Sequence, residues 1–333
     1  MKVDGGIGLD LNKVGDEAKA LEDMGYGGAL TAETSHDPFY PLLFAAQQTS
    51  KIELMTGIAV AFARSPMTTA NSAWDLNAYS KGRFVLGLGS QIQPHIEKRF
   101  SMPWSHPAAR MKEFVQAMRA IWNTWITGER LNFRGKFYTH TLMTPFFTPT
   151  DIQYGAPRVF LAAVGPLMAQ VAGEVADGVI LHAFTTETYL RNVTLPALEE
   201  GFAKSGRARE NFEISYPAFI VTGKDEKEMQ ENSIATRRQI AFYGSTPAYK
   251  GVLDSVDAGE LQPRLNSMSK EGKWAEMGTL IGDDLLKEFA VIAEPKNIAS
   301  EIKRRYGDVV DRTSAAYASL DRETRIKVIK ELA

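Results

Sequence analysis

Short apolar runs alternate along the chain with longer stretches in which apolar residues recur every three or four positions. The first pattern is typical of strands buried on both faces, and the second is typical of amphipathic helices. The predicted strands are Val3–Gly8, Gly28–Thr31, Ile52–Val60, Phe84–Leu88, Val159–Ala163, Val179–Leu181, Phe212–Thr222 and Phe289–Ile292. The predicted helices are Asn12–Met24, Pro38–Ser50, Pro66–Ser80, Ala108–Gly128, Pro166–Ala176, Glu187–Lys204, Lys224–Phe242 and Pro295–Arg305.

Eight strand–helix units in 333 residues predict the α/β class and a parallel sheet closed into a (β/α)8 barrel, a TIM barrel. No change in composition marks a second domain, so a single domain over residues 1–333 is expected. Three stretches exceed a minimal unit and are predicted insertions after strands four and seven, at about 93–107, 133–157 and 245–282. Their apolar content indicates that they cover a pocket or a partner surface.

Several predicted helices begin with a residue followed by proline, which is tolerated in the first helical turn. These starts are Asp37-Pro38, Ser65-Pro66, Gly165-Pro166 and Glu294-Pro295. Asp37 is interpreted as the N-cap of helix two. Helices of a barrel begin at the carboxyl ends of its strands, where barrel active sites lie, so we expect the chemistry at this end.

Composition excludes several classes of protein. The net charge of −2 offers no basic surface for nucleic acid or an anionic membrane. Without cysteine there is no disulfide, thiolate metal site or cysteine nucleophile. No apolar run approaches the ~20 residues of a membrane span, and the start of the chain lacks a secretory signal pattern. A soluble, cytoplasmic protein is expected.

Candidate chemistry follows strands two to five. His36 after strand two is either a proton donor or acceptor at the mouth, or a histidine simply held by hydrogen bonds; Glu33 is a candidate to orient it or to bind a ring N–H. Gly87 and Gly89 either let a bulky group approach the backbone or relieve crowding inside the barrel. Small residues before Pro166 leave free N–H groups that favour an anion such as phosphate.

Other catalytic strategies fit poorly. The first strand carries no His-x-His pair, the five histidines have no metal-ligand spacing, and no metal is expected. No GxSxG nucleophile motif occurs, and no predicted strand closes on a lysine. Glycine-rich strand ends without a nucleophile or metal cage favour a bound organic cofactor that supplies the chemistry.

Two long motifs carry a resemblance to a known family. TGIAVAFARSPMTTANSAWDLNAYSKGRFVLGLGSQIQPHIEKRF and LAAVGPLMAQVAGEVADGVILH resemble the bacterial luciferase-like flavin and deazaflavin oxidoreductases, and within them the branch assigned to coenzyme F420. The similarity runs almost end to end and includes IAFYGSTPAYKGVLDS in the last insertion. It implies a TIM barrel with the cofactor at its mouth.

The resemblance also implies which residues form the site. It places a cis peptide at Gly57–Ile58, where a bulge supports the deazaflavin ring, and a segment near the cofactor phosphate at Ala163 to Gly165. His36, with Glu33 or Ser35, falls where relatives carry an Asp-His pair, and His36 and Glu33 are the implied catalytic residues. The implied cofactor-binding residues are Ser35, Gly57, Ile58, Ser90, Gln91, Ala163, Val164 and Gly165.

The implied activity is hydride transfer between F420 and a small neutral or apolar carbonyl, alcohol or enone. Ile92 stands where some relatives carry a catalytic glutamate, which argues against sugar-phosphate dehydrogenation. The alternatives are a monooxygenase that uses reduced flavin mononucleotide (FMN) from a separate reductase, and a barrel that binds the cofactor without turnover. A homodimer is also implied, through a segment Pro66 to Tyr79 whose Met67, Trp74 and Leu76 either meet a partner or pack on the barrel.

Overall fold

In the computed structural model, which describes residues 1–314 and 320–333, parallel strands close on themselves into a barrel. The barrel strands are β1 (Lys2–Gly6), β2 (Gly28–Thr31), β3 (Glu53–Thr56) continued by β4 (Ala59–Val60), β5 (Phe84–Gly89), β8 (Arg158–Ala163), β9 (Gly178–Leu181), β10 (Glu213–Tyr216) and β13 (Arg312–Ser314). Pairing of β13 with both β1 and β10, and of β3 with β5, completes the ring. The predicted (β/α)8 barrel is confirmed.

Helices surround the barrel, and two short strand pairs lie outside it. The helices are α1 (Val14–Met24), α2 (Phe39–Gln48), α3 (Pro66–Tyr79), α4 (Pro107–Thr127), α5 (Pro166–Val175), α6 (Glu187–Tyr189), α7 (Leu195–Ser205), α8 (Glu226–Gly244), α9 (Lys250–Asp254), α10 (Leu261–Lys270), α11 (Trp274–Met277), α12 (Asp283–Phe289), α13 (Ile298–Tyr306) and α14 (Arg322–Leu332). The outer pairs are β6 (Phe133–Arg134) with β7 (Thr139–His140), and β11 (Phe219–Val221) with β12 (Ala290–Ile292). None of the described helices has the length and apolar character to cross a bilayer.

The eighth predicted strand is wrong. Ala290–Ile292 does form a strand, but it pairs with Phe219–Val221 beyond the end of β10 and stays outside the barrel sheet. Arg312–Ser314 closes the barrel instead. Its Arg-Thr-Ser sequence is polar, so it lacks the apolar run by which a buried strand is normally predicted. The predicted strand Phe212–Thr222 likewise divides, because Pro217 separates β10 from β11.

The structure corrects one predicted helix end and decides between two interpretations of a helix surface. Helix α2 begins at Phe39, so its N-cap is Pro38 and not Asp37. Asp37 precedes the N-cap by one residue, and its Oδ1 accepts the Phe39 N–H at 2.9 Å. On α3, Trp74 and Leu76 are 1% and 4% exposed within this chain's own core. These two side chains pack on the barrel, and the homodimer remains a prediction without them.

A charged cluster fills the barrel at the amino ends of the strands. Arg312 is fully buried and donates to both carboxylate oxygens of the fully buried Asp4, at 2.7 and 2.9 Å. It also pairs with Glu53 and Glu213, which in turn accept from the more exposed Arg158. Because two adjacent strands, β1 and β13, contribute the central pair, the cluster joins the first and last strands of the ring.

This cluster predicts a specific acid sensitivity. Burial alone would raise the pKa of Glu53, but the neighbouring Arg312 and Arg158 outweigh it and lower the pKa from 4.5 to about 2. A depressed carboxylate pKa contributes stability that is present above pH 4.5 and is lost as pH falls toward 2. We expect Glu53→Gln to flatten the fall in urea midpoint between pH 4.5 and pH 2.5 relative to the parent. If the urea midpoints of the variant and the parent fell equally steeply with pH, the lowered pKa of Glu53 would be contradicted.

The last insertion forms its own apolar core above the barrel. Helices α10 and α11 pack on α8, and α9 packs on α10. They share a buried cluster with Phe184 after β9, Phe219 in β11 and Phe289 at the end of α12. Within this insertion Tyr249 reaches the carboxyl ends of the strands. The insertion therefore contributes to the barrel mouth.

Candidate active site at the barrel mouth

The barrel mouth has an apolar floor made by several strands. Alternation along each strand points Leu30, Ala162 and Ile180 into the barrel, and all three are half-buried. A Cβ built on Gly89 would lie 2.9 Å from the Ile58 side chain and 3.6 Å from Ala162, and one on Gly87 would lie 2.8 Å from Ile180. The ends of β2, β3, β5, β8 and β9 therefore meet at one place.

The two glycines of β5 allow this convergence. A Cβ on Gly87 would fall 1.8 Å from the Thr56 carbonyl oxygen, a distance that no side chain tolerates. The Thr56 hydroxyl donates to the Gly87 carbonyl at 2.8 Å and accepts the Gly87 N–H at 2.9 Å. Of the two interpretations offered for Gly87, relief of crowding inside the barrel is therefore the one that the structure supports.

Gly6, at the end of β1, is different. It points inward and is exposed, and no described atom lies within 4 Å of a Cβ built on it. Gly165, at the start of α5, also has no described neighbour within that distance. These positions border open space above the apolar floor, which is room for a flat ligand.

The junction between β3 and β4 shapes one side of the mouth. The Gly57–Ile58 peptide is cis, as the resemblance implies. The Gly57 N–H donates to the Thr31 carbonyl at 2.6 Å, and the Ile58 carbonyl accepts the Glu33 N–H at 3.1 Å. These bonds join the junction to the end of β2 and leave the half-buried Ile58 side chain over Gly89.

Glu33 is held by a structural ion pair. Its Oε2 accepts from Arg64 at 2.6 Å and from the Val60 N–H at 2.7 Å, and Arg64 also pairs with Asp37 at 2.8 Å. The Glu33 side chain is only 7% exposed. Among the described residues no hydrogen bond links it to His36, so its contacts assign it to positioning the loop after β2.

His36 and Ser35 stand exposed on that same loop. Arg99, in the insertion after β5, donates to the carbonyl of Thr34 and so ties the two loops together. One cationic side chain is thereby attached to the loop that carries His36. His36 thus lies beside the mouth with its imidazole accessible to solvent.

The remaining predicted contacts line the mouth beyond Ile58. Ser90 is half-buried, its hydroxyl donates to the Gln91 carbonyl at 3.1 Å, and Gln91 adopts a positive φ of 59°. Ala163, Val164 and Gly165 lead directly into α5, whose first turn has no capping side chain. The first N–H groups of an uncapped helix favour an anion, which is the property predicted for this segment. Within the described residues no three His, Asp or Glu side chains group as metal ligands.

His182, at the end of β9, is a site residue that the sequence patterns did not identify. Its Nδ1 accepts the Phe184 N–H at 3.0 Å, and its ring packs against Tyr243 and Tyr249 with centroids 4.5 and 5.1 Å apart. Burial lowers its pKa to about 4. The available signal was its place two residues after the inward-pointing Ile180.

Comparisons with known proteins agree with this architecture. The family model for luciferase-like monooxygenases matches residues 2–312. An uncharacterized protein of Mycobacterium tuberculosis is 53% identical over 323 residues, 97% of this chain and 95% of that one. An F420-dependent glucose-6-phosphate dehydrogenase of Nocardia farcinica is 30% identical over 205 residues, 60% of this chain and 59% of that one. The coenzyme F420 dependent tetrahydromethanopterin reductase of Methanopyrus kandleri has a similar fold, with a TM-score of 0.79 at 22% identity, over 99% of this chain and 97% of that one.

Proposed function

Because this chain belongs to the luciferase-like monooxygenase family, we propose that it is an F420-dependent oxidoreductase acting on a small neutral or apolar carbonyl, alcohol or enone. The observation that carries the proposal is the half-buried apolar floor bordered by open space at Gly6 and Gly165. The F420-dependent relative of Nocardia farcinica supports the choice of cofactor. Its sugar-phosphate substrate does not transfer, since Ile92 is an exposed apolar residue where a glutamate would act.

The residues at the mouth fit a deazaflavin. A flat, largely apolar ring matches the surface of Ile58, Ala162 and Ile180, and the absence of a side chain at Gly6 gives it room. The first turn of α5 at Gly165 suits the cofactor phosphate, because no side chain caps it and the first N–H groups of a helix have no partner within the helix. Ser90 and Gln91 would hold the polar edge of the ring.

When bound, F420 supplies or accepts the hydride, and the protein supplies position and a proton. The floor would orient one face of the ring toward the substrate and exclude water from the other. His36 would deliver or take the proton at the substrate oxygen, because its imidazole is exposed on the loop that follows β2. Glu33 would act on it indirectly, by holding the loop through Arg64.

Titration with the two candidate cofactors tests the proposal. Purified protein is titrated separately with F420 and FMN while tryptophan fluorescence is followed, and reduced F420 is then offered with ketones, enones and secondary alcohols. We expect saturable F420 binding and F420-linked turnover with at least one class. Tight FMN binding without F420 binding would instead assign the chain to the FMN-dependent monooxygenases. F420 binding without turnover of any substrate would leave a cofactor-binding barrel.

A bulky side chain at Gly6 should block the mouth without disturbing the fold. Gly6→Phe places a ring in the open space over the floor, so we expect the F420 dissociation constant to rise by about tenfold or more, equivalent to ~1.4 kcal/mol. Gly6→Ala is the matched control and should bind nearly as the parent does, since its Cβ has no described neighbour within 4 Å. Equal affinities of the phenylalanine variant and the parent would place the cofactor elsewhere.

A further inference from the structure

His182 points into the barrel mouth. Along β9 the side chains alternate: Gly178 and Ile180 face the interior, where Ile180 packs with Met55 and Phe160, while Val179 and Leu181 belong to the outer core. Continuing this alternation by one step places His182 on the interior face, above Ile180. It therefore follows β9 on the face that also carries Ile180 of the apolar floor.

The hydrogen bond from Phe184 to His182 determines which imidazole nitrogen carries the proton. Nδ1 accepts the Phe184 N–H at 3.0 Å, so in the neutral ring the proton is on Nε2. Burial lowers the pKa of His182 to about 4, and the groups packed against its ring are the aromatic Tyr243 and Tyr249. At neutral pH the side chain is an uncharged hydrogen-bond donor with a fixed orientation.

Tyr243 and Tyr249 pack around the His182 imidazole. Tyr243 comes from the end of α8 and meets the His182 ring edge-on, with an interplanar angle of 89°, while Tyr249 comes from the insertion. Phe184 stacks on Tyr249 and on Phe289, which holds the wall in place. Both tyrosines are half-buried, so part of each ring remains available to a ligand.

We propose that His182 is a substrate-binding residue, whose Nε2–H donates to the carbonyl or hydroxyl oxygen of an uncharged substrate that packs against Tyr243 and Tyr249. This inference rests on the proposed function. A neutral imidazole among aromatic rings cannot offset an anion, and burying an unpaired charge is costly. The site therefore selects ketones, enones or alcohols over carboxylates and phosphates.

The reduction of a ketone shows how the hydrogen bond from His182 would contribute to catalysis. With reduced F420 bound, the cofactor would supply a hydride to the carbonyl carbon and be oxidised, and the π electrons of the C–O bond would move to oxygen. That oxygen would take a proton from His36, which would regain one from solvent. The His182 Nε2–H donates to the same oxygen throughout and keeps its proton, so it stabilises the developing negative charge.

Two variants separate this role from a structural one. We expect His182→Phe, assayed with reduced F420 and cyclohex-2-enone, to lower kcat/KM about a hundredfold while F420 affinity stays within about twofold. His182→Gln retains an amide donor and should recover most of the activity. Unchanged kcat/KM in the phenylalanine variant, or failure of the glutamine variant to recover activity when it is folded and binds F420, would overturn the assignment. So would a large loss of F420 affinity, which would make His182 a cofactor contact.

Imidazole ¹⁵N–¹H spectroscopy gives a readout that does not need turnover. One of the five histidines should remain a neutral Nε2–H tautomer down to about pH 4 and should be missing from His182→Phe. Its Nε2–H signal should shift when cyclohexanone is added with oxidised F420, which cannot reduce the ketone. A charged imidazole at pH 6, or no shift in a complex known to contain F420, would refute the proposal. Absence of F420 binding by the parent protein would refute the proposed function first, and this inference with it.

Discussion

Replacing Arg312 with methionine is expected to destabilise the protein by about 3–5 kcal/mol, as is usual when one partner of a buried ion pair is removed. The reason is the carboxylate that remains. Asp4 is fully buried and both of its oxygens accept from Arg312, so the variant leaves it without its partner. Since domains are typically stable by only 5–15 kcal/mol, the urea midpoint should fall steeply.

Arg158→Met is the matched control for this experiment. Arg158 contacts the same Glu53 and Glu213, but its side chain is 39% exposed, so its pairs are partly screened and should contribute about 0–1 kcal/mol. Asp4→Asn combined with Arg312→Met should recover part of the loss, because the fully buried carboxylate is removed together with its partner. Equal losses of stability in Arg312→Met and Arg158→Met would show that burial of the arginine does not determine the size of the loss.

Replacing His36 with alanine is expected to reduce kcat with reduced F420 by about 10²–10⁴-fold, the usual contribution of a positioned general acid or base. The F420 dissociation constant should change little, because the exposed imidazole is not part of the apolar floor. Stopped-flow measurement of single-turnover F420 oxidation distinguishes this loss from slower product release.

Two comparisons make the His36 result interpretable. His36→Gln keeps hydrogen bonding without acid–base chemistry and should be nearly as impaired as the alanine variant. His95→Ala removes an exposed imidazole in the insertion after β5 and should leave turnover unchanged. A fully active His36→Ala enzyme would remove His36 from the mechanism and leave the proton to solvent.

Most of the barrel was predictable because seven of its strands have a recognisable local sequence pattern. Runs such as Phe84–Gly89 are apolar and end in glycine, so they identify buried strands without any knowledge of their neighbours. β13 has no such pattern, because Arg312 is made acceptable in the interior only by Asp4, more than 300 residues away in the chain. A pattern read over a few neighbouring residues cannot show that a partner so far away in the sequence will pair with Arg312.

The site was predictable to a lesser degree, for the same reason. The start of α5 follows from local sequence and the Gly57–Ile58 cis peptide from the family resemblance, whereas the role of Glu33 is defined by its contact with Arg64. His182 became a candidate only when the fold placed Tyr243 and Tyr249 around it, since both come from distant segments. A lone histidine in the sequence carries no sign of its aromatic neighbours.

The charged cluster beneath the barrel has a consequence for how such a protein diversifies. It joins the first and last strands at the end opposite the mouth, and no residue of the apolar floor takes part in it. Loops and insertions at the mouth can therefore be exchanged while the ring stays closed. Descendants of one ancestral chain can in this way acquire new substrates without first having to rebuild the scaffold that carries them.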